Sequence, residues 1–398
     1  MTKTPEKTIL FYSISTHLGG AEKSLLDILC SLDKVSQGRY HAHALFPMKH
    51  GPLIDILKEK KIEYTVLPMP KLLLKMSRNR KTLIPLLTLL ALPQTLLYLY
   101  QLKNVFQRIN PTAIHSTGLK CHLISGVLSH FIKTNIVLHF RDVIESTHIN
   151  KIIAWFAKNE RIFALANSRA TAKSVAIKTQ IIYNGINIEK FQTLPTHWLH
   201  DLLKIPRTNQ IIGILGVLAR WKGQLNFIKI ADQLIQQGNN SHFVIIGDEI
   251  YDTLGEQGYR AELTQLVEQL KLTSRVHFTG FLPHPEKALG SIHILVHCSL
   301  KPEPFGRVLI ESMASRVPVV AAADGGVLEI IEHGKTGLLC KPTDLNAYCE
   351  AINSLANDPG RRFRIIDKAF AHVRDKFSLD KQMRGLIEFY DKNLKSHS

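Results

Sequence analysis

The residues best placed to do chemistry in this 398-residue chain lie in Pro302-Glu303-Pro304-Phe305-Gly306-Arg307-Val308-Leu309-Ile310-Glu311. Two carboxylates stand eight positions apart, Glu303 in a proline-bounded loop and Glu311 inside a helix that Gly306 opens. So placed, Glu311 can accept two hydrogen bonds from a vicinal diol such as a ribose, while Glu303 reaches a different group. The Phe305–Val308 amides lie between them at the helix N-terminus, where unpaired N–H groups and the positive end of the dipole favour an anion. The alternative is two unrelated surface glutamates, which leaves the proline bracket and the apolar helix unexplained.

A second cluster closes a strand at Gly216-Val217-Leu218-Ala219-Arg220-Trp221-Lys222-Gly223. Arg220 and Lys222, two residues apart with Gly223 leaving room, suit a diphosphate; an ordinary basic loop is the other reading. A third is His17-Leu18-Gly19-Gly20-Ala21-Glu22, directly after the first strand and before an amphipathic stretch with Leu25, Ile28, Leu29 and Leu32 on one face. Paired glycines there let the backbone approach a ligand, although a plain tight turn has the same sequence. His139, in Val137-Leu138-His139-Phe140-Arg141-Asp142, ends another strand. As a neutral imidazole it can donate a hydrogen bond, or be satisfied locally by Asp142.

These clusters must be positioned by strands and helices, and the chain alternates between the two along its whole length. Strand-like runs occur at 8–15, 41–46, 64–67, 113–116, 136–140, 162–166 and 181–182, and the pattern restarts at 211–217, 242–246, 276–278, 294–297, 317–321 and 337–339. Near-continuous Val/Ile/Leu runs separated by helices require parallel sheets covered on both faces. Two successive sets predict an α/β protein of two doubly wound domains, with a boundary in the aperiodic segment 191–207 that contains Pro195 and Pro206.

Composition narrows the partners. Apolar residues make up 45% and charged residues 21%, enough for real cores and far from disorder or coiled coil. The formal charge is +17 and lies almost wholly in the first half, where residues 1–200 carry 26 Lys/Arg against 11 Asp/Glu. No acid occurs between Glu63 and Asp142, a stretch with ten basic residues. That asymmetry predicts an anionic partner for the N-terminal half. Thr82–Leu102 is 21 residues without a charge, flanked by Lys71, Lys75, Arg78, Arg80 and Lys81 before and by Lys103 and Arg108 after. Pro85, Pro93 and Gln94 argue against spanning, so the choice lies between a buried helix pair and contact with an anionic membrane surface. Five cysteines without a CxxC pair, and an N-terminus with no signal-peptide cleavage region, point to a reducing cytoplasm.

Several signatures are absent: GxGxxG, GxxxxGK[ST], HExxH, GxSxG and DxD, so the common routes to dinucleotide, P-loop, zinc-protease and serine-hydrolase chemistry are missing. Histidines are scattered rather than set at metal-ligand spacing, and no metal site is expected.

Taken together, the motifs resemble those of retaining glycosyltransferases of the GT-B fold, specifically the large family 4 (glycosyl transferases group 1). Gly19-Gly20-Ala21-Glu22 is similar to that family's GGxE turn. Ile114-His115-Ser116 and Ile182-Tyr183-Asn184-Gly185-Ile186 are similar to its IHS and YNGI strand ends. Trp221-Lys222-Gly223-Gln224 matches WKGQ, Glu303 to Glu311 matches E-x7-E, and Gly325-Gly326-x-x-Glu329 its following GGxxE loop. The likeness covers nearly the whole chain. It implies two Rossmann-like doubly wound domains facing across a cleft: residues 1–195 on the acceptor side, 206–376 holding the nucleotide sugar, and 377–398 as a C-terminal helix returning to the N-terminal domain.

The resemblance further implies hexose transfer, with retention, from a nucleotide-diphosphate sugar to a lipid-linked or polysaccharide acceptor in cell-surface glycan synthesis. The nucleotide sugar is a co-substrate, and no cofactor or metal is implied. Arg220 and Lys222 would neutralise the diphosphate, Glu311 would hold the ribose, and Glu303 would bind the hexose hydroxyls. Phe305, Gly306, Arg307 and Val308 would lie near the phosphates, Gly19 and Gly20 would close over them, and His139 corresponds to the active-site histidine. One departure is Val217, where the family often has Arg. The expected setting is cytoplasmic, peripheral on the inner face of the plasma membrane through residues 71–108, with no nucleic-acid partner. A nucleotide-sugar epimerase of the same architecture, or a non-catalytic binding protein using the basic face, are the competing functions.

Overall fold

The computed structural model describes residues 7–75, 84–249 and 257–394. Arg78, Arg80, Lys81, Thr82 and Leu83 of the basic and apolar segment lie outside the described residues. The chain divides into two compact units, the first Met1–Asn184 with Gln382–Ser398 and the second Gly185–Lys381.

The first unit holds a seven-stranded sheet of β1 (Lys7–Ser13), β2 (Tyr40–Phe46), β3 (Tyr64–Val66), β4 (Ala113–Thr117), β5 (Asn135–Phe140), β6 (Ile162–Ala166) and β7 (Gln180–Ile181), in the order β3-β2-β1-β4-β5-β6-β7. Every pairing is parallel. The order reverses between β1 and β4, so their C-terminal ends flank the switch point where open α/β sheets bind ligands. Ile9, Leu10, Phe11 and Tyr12 are all fully buried, as a strand covered on both faces requires. Each such side chain contributes about 1.5–3 kcal/mol of burial. Leu10 and Tyr12 pack with Tyr98, Leu102 and Phe106 of the helix Ile84–Ile109, and the Tyr12 and Tyr98 hydroxyls are 2.9 Å apart. The same helix leaves Leu92, Leu96, Leu97 and Tyr100 exposed. It is therefore half buried, and no helix among the described residues is long and apolar enough to cross a membrane.

The second unit repeats the plan with six strands: β8 (Ile211–Leu215), β9 (His242–Ile246), β10 (Val276–Phe278), β11 (Ile294–His297), β12 (Val319–Ala322) and β13 (Leu338–Cys340), ordered β10-β9-β8-β11-β12-β13 and parallel throughout. Its switch point lies between β8 and β11. Among the described residues, thirteen strands overlap the thirteen strand-like runs of the sequence, with ends shifted by one or two residues.

The unit boundary falls earlier than the aperiodic, proline-containing segment suggests. Residues 185–206 run with the second unit: Lys190 pairs with Glu286 at 2.9 Å, Ser291 Oγ accepts from the Leu199 amide at 3.0 Å, and Gly290 lies so close to Pro195 that a Cβ would stand 2.5 Å from its carbonyl oxygen. Polar and backbone contacts of this kind leave no apolar period in the sequence. The last helix, Leu379–Asn393, starts beside Ile186, where Ile186 N donates to Phe377 O and Leu379 N to Ile186 O. From Gln382 onward it belongs to the first unit.

Candidate active site

In the second unit the chemistry gathers at the C-terminal ends of β8 and β11. After β8 the chain makes a short 3₁₀ turn, Arg220–Lys222, and stops it at Gly223 with φ +79°. A Cβ there would stand 2.0 Å from the Cys298 carbonyl oxygen, so only glycine lets the turn lie against the end of β11. This brings Lys222 to Glu303: Nζ donates to Oε2 at 2.7 Å and to Oε1 at 3.0 Å. His297 Nε2 and Ser299 Oγ each lie 3.2 Å from the same Oε2. Burial by itself would raise the Glu303 carboxyl; the Lys222 ammonium and the hydrogen bond from His297 overturn that and hold it well below the usual carboxylate range. Glu303 is thus an ion at neutral pH. Lys222, which has three N–H donors, keeps capacity beyond this carboxylate and also lies 4.1 Å from the centroid of the Trp221 ring.

The Glu303 loop is fixed from behind by Gly325-Gly326. Gly326 N donates to Glu303 O at 2.7 Å, and a Cβ on Gly325, φ +60°, would meet that same oxygen at 2.4 Å. The helix Arg307–Ala314 follows, with Gly306 as its N-cap at φ +99°. In its first turn the Leu309 amide donates to Gly306 O at 3.0 Å. Phe305 is buried against Phe377 (centroids 5.7 Å apart), and Val308 O accepts from Ser312 Oγ. Glu311, also buried, receives Arg307 Nε at 2.7 Å one turn back.

Arg220 does not join this cluster. Its guanidinium pairs with Glu262 at 2.6 Å and covers the Tyr259 ring at 4.8 Å, on a surface where both charged side chains are about half exposed. The charge of Arg220 holds the Glu262 carboxyl below its ordinary value through their hydrogen bond.

In the first unit, the Gly19-Gly20 turn follows β1 and starts the helix Gly20–Val35. Arg141, just past β5, donates from Nη1 to the Ala21 carbonyl at 2.7 Å and so ties the turn to the end of β5. His139 is buried one residue inside that end. Its Nδ1 lies 2.9 Å from His115 Nε2 on neighbouring β4, so the imidazole is held by another imidazole rather than by Asp142, which is exposed. Burial first, and the Arg141 charge second, push His139 well below the ordinary histidine value, and it is neutral. Its Nε2 is buried with no hydrogen-bond partner among the described residues.

A family model described as glycosyl transferases group 1 matches residues 199–372, which cover both β8 and β11 and the whole Lys222–Glu303 centre. An uncharacterized glycosyltransferase of Methanocaldococcus jannaschii is 26% identical, over 73% of this chain and 70% of that protein. The chain is similar to the glycosyl transferases group 1 family over residues 199–372. It is a glycosyltransferase of GT-B fold. The capsular polysaccharide biosynthesis glycosyltransferase CapM of Staphylococcus aureus is 28% identical over 53% of this chain, an alignment spanning about half of CapM (54%). Among solved structures, Anabaena HepE in complex with UDP-glucose superposes with a TM-score of 0.80 at 27% identity, covering 97% of this chain and all of HepE (100%).

The structure thus joins Lys222 to Glu303, Arg307 to Glu311, and the Gly19–Gly20 turn to the β5 end that carries His139, while Arg220 pairs with Glu262. Sequence reasoning passed over His297, Ser299 and Tyr390. His297 had one signal: it is the last residue of a strand at the ligand-binding edge. Ser299 had none. Tyr390 reaches His115 from the last helix, and only the fold reveals that approach.

Proposed function

We propose that the protein transfers a hexose, with retention of configuration, from a nucleotide-diphosphate sugar to a lipid-linked or polysaccharide acceptor. The observation that carries this is the Lys222–Glu303 pair: a fixed cation and a fixed carboxylate, side by side at the ligand edge of the sheet, next to a helix N-terminus. HepE was crystallised with UDP-glucose, and this supports a UDP-hexose as the donor class here.

In this reading Lys222, oriented by Glu303, faces the diphosphate as the bond from the anomeric carbon to the phosphate oxygen breaks and negative charge builds on the leaving group. Charge placed in advance where it is needed lowers the barrier without reorganisation. The Phe305–Val308 amides and Arg307 assist at the phosphates, Arg220 adds a more distant cation, and Glu303 accepts from hexose hydroxyls. Glu311 accepts from the ribose diol, and Gly19 and Gly20 approach the diphosphate by backbone. The acceptor oxygen bonds to the anomeric carbon on the face the phosphate leaves, and the acceptor proton goes to that phosphate. His139 donates a hydrogen bond to an oxygen of the donor. The nucleotide sugar is a co-substrate, and the residues assigned need no further cofactor. The exposed row on the helix Ile84–Ile109, with the basic residues of 71–108, supports a reading in which the acceptor side works against an anionic membrane from the cytoplasmic face.

A screen of UDP-, GDP- and ADP-sugars for thermal stabilisation, followed by transfer assays, tests the proposal. A UDP-hexose at 100 times its dissociation constant should add about 2.7 kcal/mol. Undiminished transfer in both Lys222→Ala and Glu311→Ala would refute the site assignment.

A further inference from the structure

The geometry points to a role for Tyr390 and His115 that lies behind the donor site: together they fix the tautomer of His139, so that His139 presents an N–H donor, and never a basic lone pair, to the donor sugar. The inference rests on the functional reading above only for what His139 faces; the tautomer is argued from the protein alone.

Three buried side chains form a line. Tyr390 Oη lies 2.7 Å from His115 Nδ1, His115 Nε2 lies 2.9 Å from His139 Nδ1, and the line ends at His139 Nε2, which has no partner among the described residues. All three residues are essentially inaccessible to solvent. Either ring could donate to the other, and the pair alone has two polarities. The phenol decides between them. Burial pushes Tyr390 well above its ordinary value, so it keeps its proton. His115 Nδ1 is its one side-chain partner among the described residues, and a buried hydroxyl that only accepted there would leave its own hydrogen unpaired. Tyr390 therefore donates to His115 Nδ1. A neutral imidazole that accepts at Nδ1 carries its hydrogen on Nε2, so His115 donates to His139 Nδ1, and the hydrogen of His139 must in turn sit on Nε2. Burial and the nearby Arg141 charge keep both rings neutral, so the chain has no second proton to blur this order.

The phenol is itself held in place. Its ring lies 5.4 Å from Tyr40, whose hydroxyl donates to Asp391 at 2.8 Å, and Arg39 pairs with Asp391 at 2.8 Å. On the other side Phe11 packs on the His115 ring at 4.9 Å. Tyr390 and His115 are positioning residues: neither touches the donor, and both act through His139. The C-terminal helix thus contributes to the chemistry of the first unit as well as to its packing.

Nitrogen-15 correlation spectra of the full chain labelled at histidine test this without any turnover, with the His139 signals assigned by their loss in His139→Gln. The expected result is a wild-type His139 protonated at Nε2 and bare at Nδ1; protonation at Nδ1, or a mixture, overturns the inference. Tyr390→Phe keeps the ring and removes the donor. It should give a mixed His139 tautomer and a fall in kcat of roughly tenfold or more, with KM for the nucleotide sugar within about twofold. An unchanged tautomer in that variant also overturns the inference. A wild-type protein with the expected tautomer that transfers from no nucleotide sugar would refute the glycosyl-transfer reading and leave the positioning role standing.

Discussion

The centre in the second unit is built from ions, and the centre in the first from neutral rings. Lys222 and Glu303 sit 2.7 Å apart with His297 and Ser299 beside the same carboxylate oxygen, so charge is kept in a partly buried place by direct compensation. Burial and the Arg141 cation discharge His115, His122 and His139, and hydrogen bonds together with ring packing orient them. The contrast shows two ways to prepare a site in advance. One fixes a full charge for a leaving group that gains charge. The other fixes a dipole, which costs less to bury and tells donors from acceptors.

The comparison is broken most directly at its charged end. Lys222→Ala removes a cation aimed at the leaving group and should lower the transfer rate by at least about 10²-fold. It also leaves the Glu303 carboxylate buried without its main partner, a loss of about 3 kcal/mol in stability. Transfer rate and denaturant midpoint measured on the same preparation check both. A variant that lost stability but kept its rate would make the pair structural only.

Acidification separates the centres because each begins to take up protons at a different pH. A buried neutral histidine binds fewer protons than the same residue unfolded once the pH drops below about 6.5, so folded stability is full above that value and falls as the pH falls. His122, whose Nδ1 lies 2.8 Å from Ser116 Oγ and whose ring stacks edge-on to Phe140, is pushed down to about 3, chiefly by burial, so its share of the loss runs through the whole interval from about 6.5 to 3. Glu303 has the depressed value of a paired carboxylate. Its stabilisation is present above the ordinary carboxylate value of about 4.3 and is lost only as the pH falls below it. Between pH 6 and 4.5, His122→Gln should flatten the dependence of stability on pH by about 1.4 kcal/mol per unit, and Glu303→Gln should leave it unchanged. Hydrogen exchange at the β4 amides over a pH series reads this in the first unit. Equal slopes in wild type and His122→Gln would show that the ring is charged in the folded state. Histidines of the second unit that burial also lowers, such as His242 at about 4, are common to both variants and cancel in the difference.

Arg220 sharpens the comparison from within the second unit. It was read beside Lys222 at a diphosphate, and it lies about half exposed on Glu262 and Tyr259. A solvent-exposed pair contributes about 0–1 kcal/mol, so Arg220→Ala should leave stability nearly intact. With no fixed position at the Lys222–Glu303 centre, it should lose about tenfold in transfer rate or less, and the effect should shrink further in high salt. A loss as large as that of Lys222→Ala would mean that Arg220 leaves Glu262 when the donor binds.

What was legible in the sequence follows the range of the interactions. The thirteen strands among the described residues could be read, most of them because a parallel strand buried on both faces shows itself as a local Val/Ile/Leu run, whereas Gly19-Gly20, Lys222 and Glu303 were singled out by their residue types and spacing in loops. The Lys222 to Glu303 contact spans 81 residues and the His115 to Tyr390 contact 275, and no local pattern records either. The boundary, expected in 191–207, falls at 184/185 for a related reason: the backbone and polar contacts of the residues that follow Asn184 leave no periodicity. Asp142 was a plausible partner for His139 by nearness in sequence, but it lies beyond the end of β5 and is exposed, and the partner came from the neighbouring strand.

The smallest effect concerns the helix Ile84–Ile109, which contains both kinds of surface. Tyr98, Leu102 and Phe106 enter the core of the first unit, whereas Leu92, Leu96 and Tyr100 fall four residues apart on an outward stripe with Leu97 beside them. Core burial does not account for that stripe, so Leu96→Gln with Leu97→Gln should change stability by no more than about 0.5 kcal/mol. If the stripe meets a membrane, the same pair should sharply reduce flotation with vesicles containing anionic lipid. Raising the salt should reduce it too, since the basic residues of 71–108 supply the electrostatic share. Flotation that ignores both the leucines and the salt would assign the stripe to a protein partner; flotation that ignores only the salt would leave the apolar contact and remove the charge from the argument.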